Sequence, residues 1–205
     1  MPGQQSDAAQ NDKFGRLVRF RANELDRDQR QILDALEIAL KGKMPRAIVD
    51  EEGAVTGGFN YLLLDPAVGD AFTKLGNAIT RNFTPRLREL VILEASRALR
   101  SDYEWIVHAA LGRKAGLTEE EIDAVRDGDT ISALAPDERI ARQLTAAVLV
   151  DQHVPDELYD EAMATLGNAM VYDVVMQAGY YALMCTSLTT FQAPLPGNAA
   201  AVFAD

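Results

Sequence analysis

Thiol chemistry has almost nothing to work with in this sequence, because Cys185 is its only cysteine. An intramolecular disulfide, a CxxC redox pair and a cysteine-rich zinc site are therefore excluded. Cys185 lies in the mainly apolar run 180–188, where a small buried residue is expected. Histidine is nearly as scarce: His108 and His153 are the two present, and there is no HExxH. A protein-only zinc site would need carboxylates converging from elsewhere, so no metal is expected. GxGxxG and P-loop patterns are absent too, and no cofactor is expected. Basic residues are outnumbered, 20 Lys and Arg against 31 Asp and Glu, for a formal net charge of -11. Such a chain is a poor match for phosphate backbones or anionic lipid, so neither nucleic acid nor membrane is expected as a partner. No run reaches the roughly 18 apolar residues of a membrane span. The segment Met1 to Lys13 is polar and lacks the apolar core of a signal peptide. Cytoplasmic localisation is the expectation.

Strand-like alternation is also hard to find, whereas helical periodicity recurs from end to end. The expected fold is all-α, a single-domain helical bundle over 21–205 behind a disordered or extended N-terminal tail at 1–20. Leu25, Ile32, Leu33, Leu36 and Leu40 form one stripe of a helix over 23–41, with Gly42 as its stop signal. Pro45 to Asn60, with Gly53, Gly57 and Gly58, reads as a long loop. Asp65-Pro66 and Thr84-Pro85 each supply a cap followed by proline in the first turn, opening helices over 66–81 and from 85 onward. The second of these is mostly apolar (Leu87, Leu90, Val91, Leu93, Ala95, Ala98) and should be central. Further helices are expected over 103–115, from the capping box Thr118 to Glu121 up to Gly128, and over 136–150, 155–166 and 168–190.

The candidate chemistry sits on the 103–115 helix. Residues four apart share a helix face, so Ser101, Glu104 and His108 form a short stripe with Trp105 beside it. A carboxylate one turn before an imidazole is minimal equipment for moving a proton near neutral pH. An exposed pair would be worth only about 0.3–0.5 kcal/mol. Here Tyr103, Trp105, Ile106, Val107 and Ala109 surround the two groups, and charges in such a setting are costly unless paired or used.

Three stretches carry a resemblance: Pro85 to Leu93 (PRLRELVIL), Ser101 to His108 (SDYEWIVH) and Gly112 to Ile122 (GRKAGLTEEEI). Together they resemble the carboxymuconolactone decarboxylase family, which includes alkylhydroperoxidase D, over residues 55–130. Gly58-Phe-Asn60, Gly179-Tyr-Tyr181 and Pro194-Leu-Pro196 are similar outlying pieces. The resemblance implies an all-α fold and a homo-oligomer, a trimer or a dimer or hexamer. The peroxidase branch carries a glutamate on one helix and CxxCxxxH at the start of the next. On this chain the glutamate falls at Glu89 and the histidine at His108, while the cysteine places hold Ser101 and Glu104. Serine cannot form the disulfide that drives thiol-based peroxide reduction, so that activity is not expected. The decarboxylase branch also has a glutamate four residues before the histidine and needs no cysteine pair. It implies a cofactor-independent lyase acting by acid–base chemistry on a small organic acid or lactone. In that scheme His108 delivers a proton, Glu104 orients it, and Glu89 relays protons or holds a water. A non-catalytic ligand-binding or structural member is the alternative. The substrate-binding candidates are Trp105, Tyr103, Ser101, Asn60 and Arg97. A cation to hold a substrate carboxylate could come from Arg86, Arg88, Arg97, Arg100 or Arg113, and Tyr103, Tyr180 and Tyr181 are candidate donors.

Overall fold

The structure, a computed structural model, describes residues 13–41 and 47–203. Eight α-helices form among them: α1 (Arg27–Leu40), α2 (Phe59–Leu62), α3 (Pro66–Ile79), α4 (Pro85–Ala98), α5 (Asp102–Lys114), α6 (Glu119–Asp127), α7 (Pro136–Ala146) and α8 (Asp156–Phe191). The fold is all-α, and the sheet component is one small ladder of β1 (Lys13–Phe14) against β2 (Leu17–Val18). None of the described helices is long and apolar enough to cross a membrane.

The helix starts follow the local chemistry of their caps. Asp65 accepts from the N–H groups of Ala67 and Val68, ahead of Pro66. Thr84 accepts from Leu87 N–H at 3.2 Å, ahead of Pro85. Asp26 with Gln29, and Thr118 with Glu121, close reciprocal capping boxes. Each such cap satisfies amide donors the helix leaves orphaned, for about 1 kcal/mol.

Several expected boundaries move. The first helix begins at Arg27 rather than 23, because Ala22–Glu24 forms a 3-10 turn ahead of the Asp26 cap. The helix at 136 loosens into a π turn at Ala147–Asp151. The helices expected at 155–166 and 168–190 run together as α8, broken at Gly167, whose φ of 74° and ψ of 164° lie where only glycine is comfortable. Gly42 and Pro45, and the tail residues 1–12, lie outside the described residues.

From residue 13 on, the segment expected as a disordered or extended tail is extended and docked on the fold. The β1–β2 hairpin docks on the end of α8 through Arg16 N–H to the Phe191 carbonyl, 2.8 Å. Phe20 packs on the core cluster built from Leu33, Leu36, Leu63 and Phe72. Asn60, fully buried, holds this segment with both amide atoms: its Oδ1 accepts from Phe20 N–H and its Nδ2 donates to the Val18 carbonyl, each at 2.9 Å.

α4 is the hub. It packs against α5, α6, α7 and α8, and every residue from Glu89 to Ser96 is buried. Two apolar clusters lie on either side of it. Leu87 and Val91 join Ile140, Leu144 and Val174 on one; Leu90 and Leu93 join Trp105, Leu117 and Val125 on the other. A helix apolar nearly all round belongs in such a position. Two acidic residues, Glu89 and Glu94, are buried with it, each 1% exposed.

Candidate functional site

The turn between α4 and α5 brings the sequence motif together. Leu99 caps α4, and Arg100, at φ 50°, reverses the chain with Ser101 N–H donating to the Ser96 carbonyl at 2.9 Å. α5 then returns alongside α4. The approach is close because of Gly112, one turn beyond His108: a Cβ there would stand 2.9 Å from Leu117 Cδ1 and 3.4 Å from Leu93 Cδ1.

This packing puts His108 against Glu89. The imidazole Nδ1 lies 2.7 Å from Glu89 Oε2, and its Nε2 lies 3.2 Å from Glu104 Oε2. Arg88 extends the set, donating from Nε to Glu89 Oε1 at 2.9 Å, with its terminal nitrogen NH2 at 2.8 Å from the same oxygen. Glu89, Glu104 and His108 are all buried. Burial alone would push His108 down, but the Glu89 charge and hydrogen bonds to both carboxylates outweigh it and hold the ring up at about 9. For Glu89, burial pushes the carboxyl up; the charge and hydrogen bond of His108, then Arg88, reverse this and leave it below the ordinary range. The geometry therefore favours an imidazolium between carboxylates at neutral pH.

These groups line a cavity of about 200 Å³. Its walls are largely apolar and aromatic, with Leu36, Leu62, Phe72, Tyr103, Tyr180 and Tyr181 among them. Tyr180 stacks on Phe72, centroids 4.1 Å apart. Tyr181 presents an edge-to-face contact to the His108 ring, centroids 5.1 Å and planes 90° apart. Burial first, then the Glu104 charge, pushes both phenols well above their usual value, so they stay protonated donors.

The candidates divide clearly. His108, Glu104, Glu89 and Tyr103 line the cavity; Trp105, Ser101, Asn60 and Arg97 do not. Trp105 is in the apolar cluster beside α4, edge-on to Phe203. Asn60 is the tether of the N-terminal segment described above. Arg97 pairs with Glu94 on the turn side of α4. Ser101 is buried and hydrogen-bonds Cys185. In each case the side chain is taken up by packing or a buried polar partner that the local sequence does not show.

Among the arginines, Arg88 lines the cavity. Arg86 clasps Glu121 and Glu138, Arg100 reaches the Phe203 carbonyl, and Arg113 pairs with Glu119. Tyr180 and Tyr181 enter the site from α8, and their adjacency in an apolar helix was the available signal. Phe59, Phe72 and Met184 also line the cavity, and their sequence context resembles ordinary core. Cys185 adds no thiol chemistry. Burial pushes it up to about 12, Glu104 adds to this, and the Ser101 hydrogen bond only partly opposes it. Among the described residues no three or more His, Cys, Asp or Glu side chains are arranged to hold a metal ion.

Residues 66–147 match the model of the carboxymuconolactone decarboxylase family, a span from the start of α3 to the first residue past α7. In fold the chain is similar to an uncharacterised peroxidase-related protein of Ralstonia eutropha with an alkylhydroperoxidase AhpD core. The TM-score is 0.70 at 18% identity, over 90% of this chain and 94% of that one. It is also similar to a protein of unknown function from Agrobacterium tumefaciens connected with antioxidant defence as AhpD, with TM-score 0.61 at 19% identity over 67% and 96% of the two chains. A third likeness is to a cysteine-to-alanine variant of the debrominase Bmp8 in complex with 2,3,4-tribromopyrrole, with TM-score 0.65 at 13% identity over 84% and 87%. At these identities the likeness is one of fold. No curated protein matches the sequence. The α3–α7 segment that carries Glu89, Glu104 and His108 thus matches the carboxymuconolactone decarboxylase family model, inside a fold similar to that of AhpD-like helical proteins.

Proposed function

We propose that the protein is a cofactor-independent acid–base enzyme of the lyase type, acting on a small organic acid or lactone. The observation that carries this reading is the buried Glu89–His108–Glu104 array lining an apolar cavity. Buried charges of this kind are costly, and opening them to a cavity rather than sealing them in core is the arrangement of a working proton-transfer site. At about 200 Å³ the cavity is below the roughly 300–1,000 Å³ of drug-sized ligand sites, which suits a small molecule. Aromatic walls suit a flat ring, the shape of the pyrrole bound by the debrominase neighbour.

The site also supplies what such a reaction asks for besides a proton. Arg88 uses Nε and one terminal nitrogen on Glu89. Its other terminal nitrogen is the group we assign to a substrate carboxylate. The protonated phenols of Tyr180 and Tyr181 can donate to an oxygen on which charge develops. Peroxide reduction through a cysteine pair is not part of the proposal, since Ser101 and Glu104 stand in those places and Cys185 is held as a buried thiol.

The same reading makes the protein a homo-oligomer, with Val68, Leu75, Tyr172 and Leu183, exposed apolar side chains on α3 and α8, as contact candidates. Residues 21–205 are proposed as one domain, and the cytoplasm as its compartment, in keeping with one unpaired cysteine.

The test is a screen of small lactones and cyclic or aromatic acids followed by nuclear magnetic resonance. Turnover of at least one compound is expected; Glu104→Gln should lower it by about 100-fold or more and His108→Gln by about tenfold or more. Full activity in both variants would sink the reading. Tight binding without turnover would favour a ligand-binding member of the family instead.

A further inference from the structure

The array holds three titratable groups, and their hydrogen bonds leave them unequally available to a substrate. His108 has a carboxylate oxygen against each ring nitrogen, Glu89 Oε2 at Nδ1 and Glu104 Oε2 at Nε2. An imidazolium hydrogen-bonded at Nδ1 and ion-paired at Nε2 has no lone pair to accept a proton, and a carboxylate already stands against each N–H. Glu89 is equally committed, with Oε2 on His108 and Oε1 on Arg88. Glu104 is different. Its Oε2 faces His108, while among the described residues no hydrogen bond is made to its Oε1, and the residue lines the cavity. Glu104 shares the cavity wall with Tyr103, Tyr180 and Tyr181.

We infer that Glu104, through the oxygen His108 does not engage, is the group that exchanges a proton with the substrate, and that His108 is its positioning residue. This reverses the roles expected from the sequence, and it rests on the acid–base function proposed above. The preferred substrate is then a carbon acid: a compound with a C–H bond beside a carbonyl. In the step, that C–H bond breaks and an O–H bond forms on Glu104. The electron pair passes into the carbonyl, giving an enolate oxygen that accepts from the Tyr180 or Tyr181 phenol or from Arg88. The proton on Glu104 then returns to the same or a conjugated carbon. No oxidant, reductant or second substrate is consumed. His108, held as a cation by Glu89, aims Glu104, as a fixed charge does in a preorganised site.

The experiment follows hydrogen exchange of α-angelica lactone, whose ring methylene lies beside the carbonyl, in D2O by proton resonance. The wild-type protein should accelerate exchange. Glu104→Gln should lose about 100-fold or more, Glu104→Asp should keep a measurable part, and His108→Gln should lose only about tenfold with a shifted pH profile. Ring nitrogen resonances of the wild-type protein at pH 7 should show both His108 nitrogens protonated, a readout that needs no substrate. An intact rate in Glu104→Gln beside a dead His108→Gln overturns the assignment while leaving the enzyme reading standing; so does a neutral His108 ring. Absence of exchange by the wild-type protein overturns the carbon-acid inference, whereas turnover of other compounds in the wider screen keeps the acid–base function.

Discussion

Glu89 and Glu94 sit on the same helix, one and a half turns apart, and each is 1% exposed. Their surroundings make them different devices. Glu94 is clasped by two arginines: Arg142 Nε donates to its Oε2 at 2.7 Å, and Arg97 Nε donates to its Oε1 at 2.9 Å. Arg142 also reaches the Asp129 carbonyl at 2.6 Å, so the clasp ties α4 to α7 and to the loop after α6. Guanidinium groups do not give up their protons in proteins, and this carboxylate can only hold. Glu89 instead faces His108, which can gain or lose a proton, and it does so on the wall of a cavity. A buried carboxylate is thus a structural staple or part of a proton path according to whether its partner titrates.

The largest expected effect separates the two directly. Glu94→Gln removes the counter-charge shared by the partly buried Arg97 and Arg142 and should cost about 3–5 kcal/mol in urea unfolding, while turnover per folded molecule stays within about twofold. Glu89→Gln should show the opposite profile. His108 can release its proton when Glu89 is neutralised, so the stability loss is smaller, about 1–3 kcal/mol, whereas activity on an identified substrate falls by about tenfold or more. Equal profiles for the two variants would erase the distinction.

A pH series sharpens it. His108 is held up at about 9 in the folded protein against an unfolded value of 6.5. A raised folded value contributes stability that is fully present below about 6.5 and is lost as pH rises through about 9. The loss should be roughly 3 kcal/mol by linkage, measured as the difference in unfolding free energy between pH 6 and pH 10. In His108→Gln that component of the slope should vanish; in Glu94→Gln it should persist. The smallest effect concerns another buried polar side chain, Gln177 on α8, whose amide oxygen and nitrogen have no hydrogen-bond partner among the described residues. Gln177→Met, similar in shape, should be neutral or raise stability by up to about 1 kcal/mol, read as a small rise in Tm. A loss instead would show that this amide is used.

Local signals account for what could be read ahead of the structure. Asp65-Pro66, Thr84-Pro85 and the Thr118–Glu121 box mark helix starts that form where expected, since capping satisfies neighbours two or three residues away. The Glu104–His108 contact follows from helical period alone. Glu89 was reached only through the family resemblance, because nothing in residues 85–93 indicates which face will meet α5. For the same reason the sequence does not separate the candidates that line the cavity from those that do not. Trp105 and His108 lie on one short helix, yet one points into the apolar cluster beside α4 and the other into the cavity. The docking of the extended segment at 13–20 is not legible locally because its anchor is Asn60, 40 and 42 residues from the groups it holds.

By itself, then, the sequence determined the helical segments, the pairing of Glu104 with His108 one turn later, and the lack of a cysteine pair. Each depends on residue type and on spacing within one element. The tertiary structure decided that Glu89 closes on His108, that Arg88 and not Arg97 or Arg113 reaches the cavity, and that Tyr180 and Tyr181 form its wall. Those depend on how α4, α5 and α8 rotate against one another, and helix packing is set by the summed fit of many side chains far apart in the chain. The separation between Glu104's open oxygen and His108's two occupied nitrogens belongs to that second class. It arises only once α5 has laid the imidazole against a carboxylate on α4.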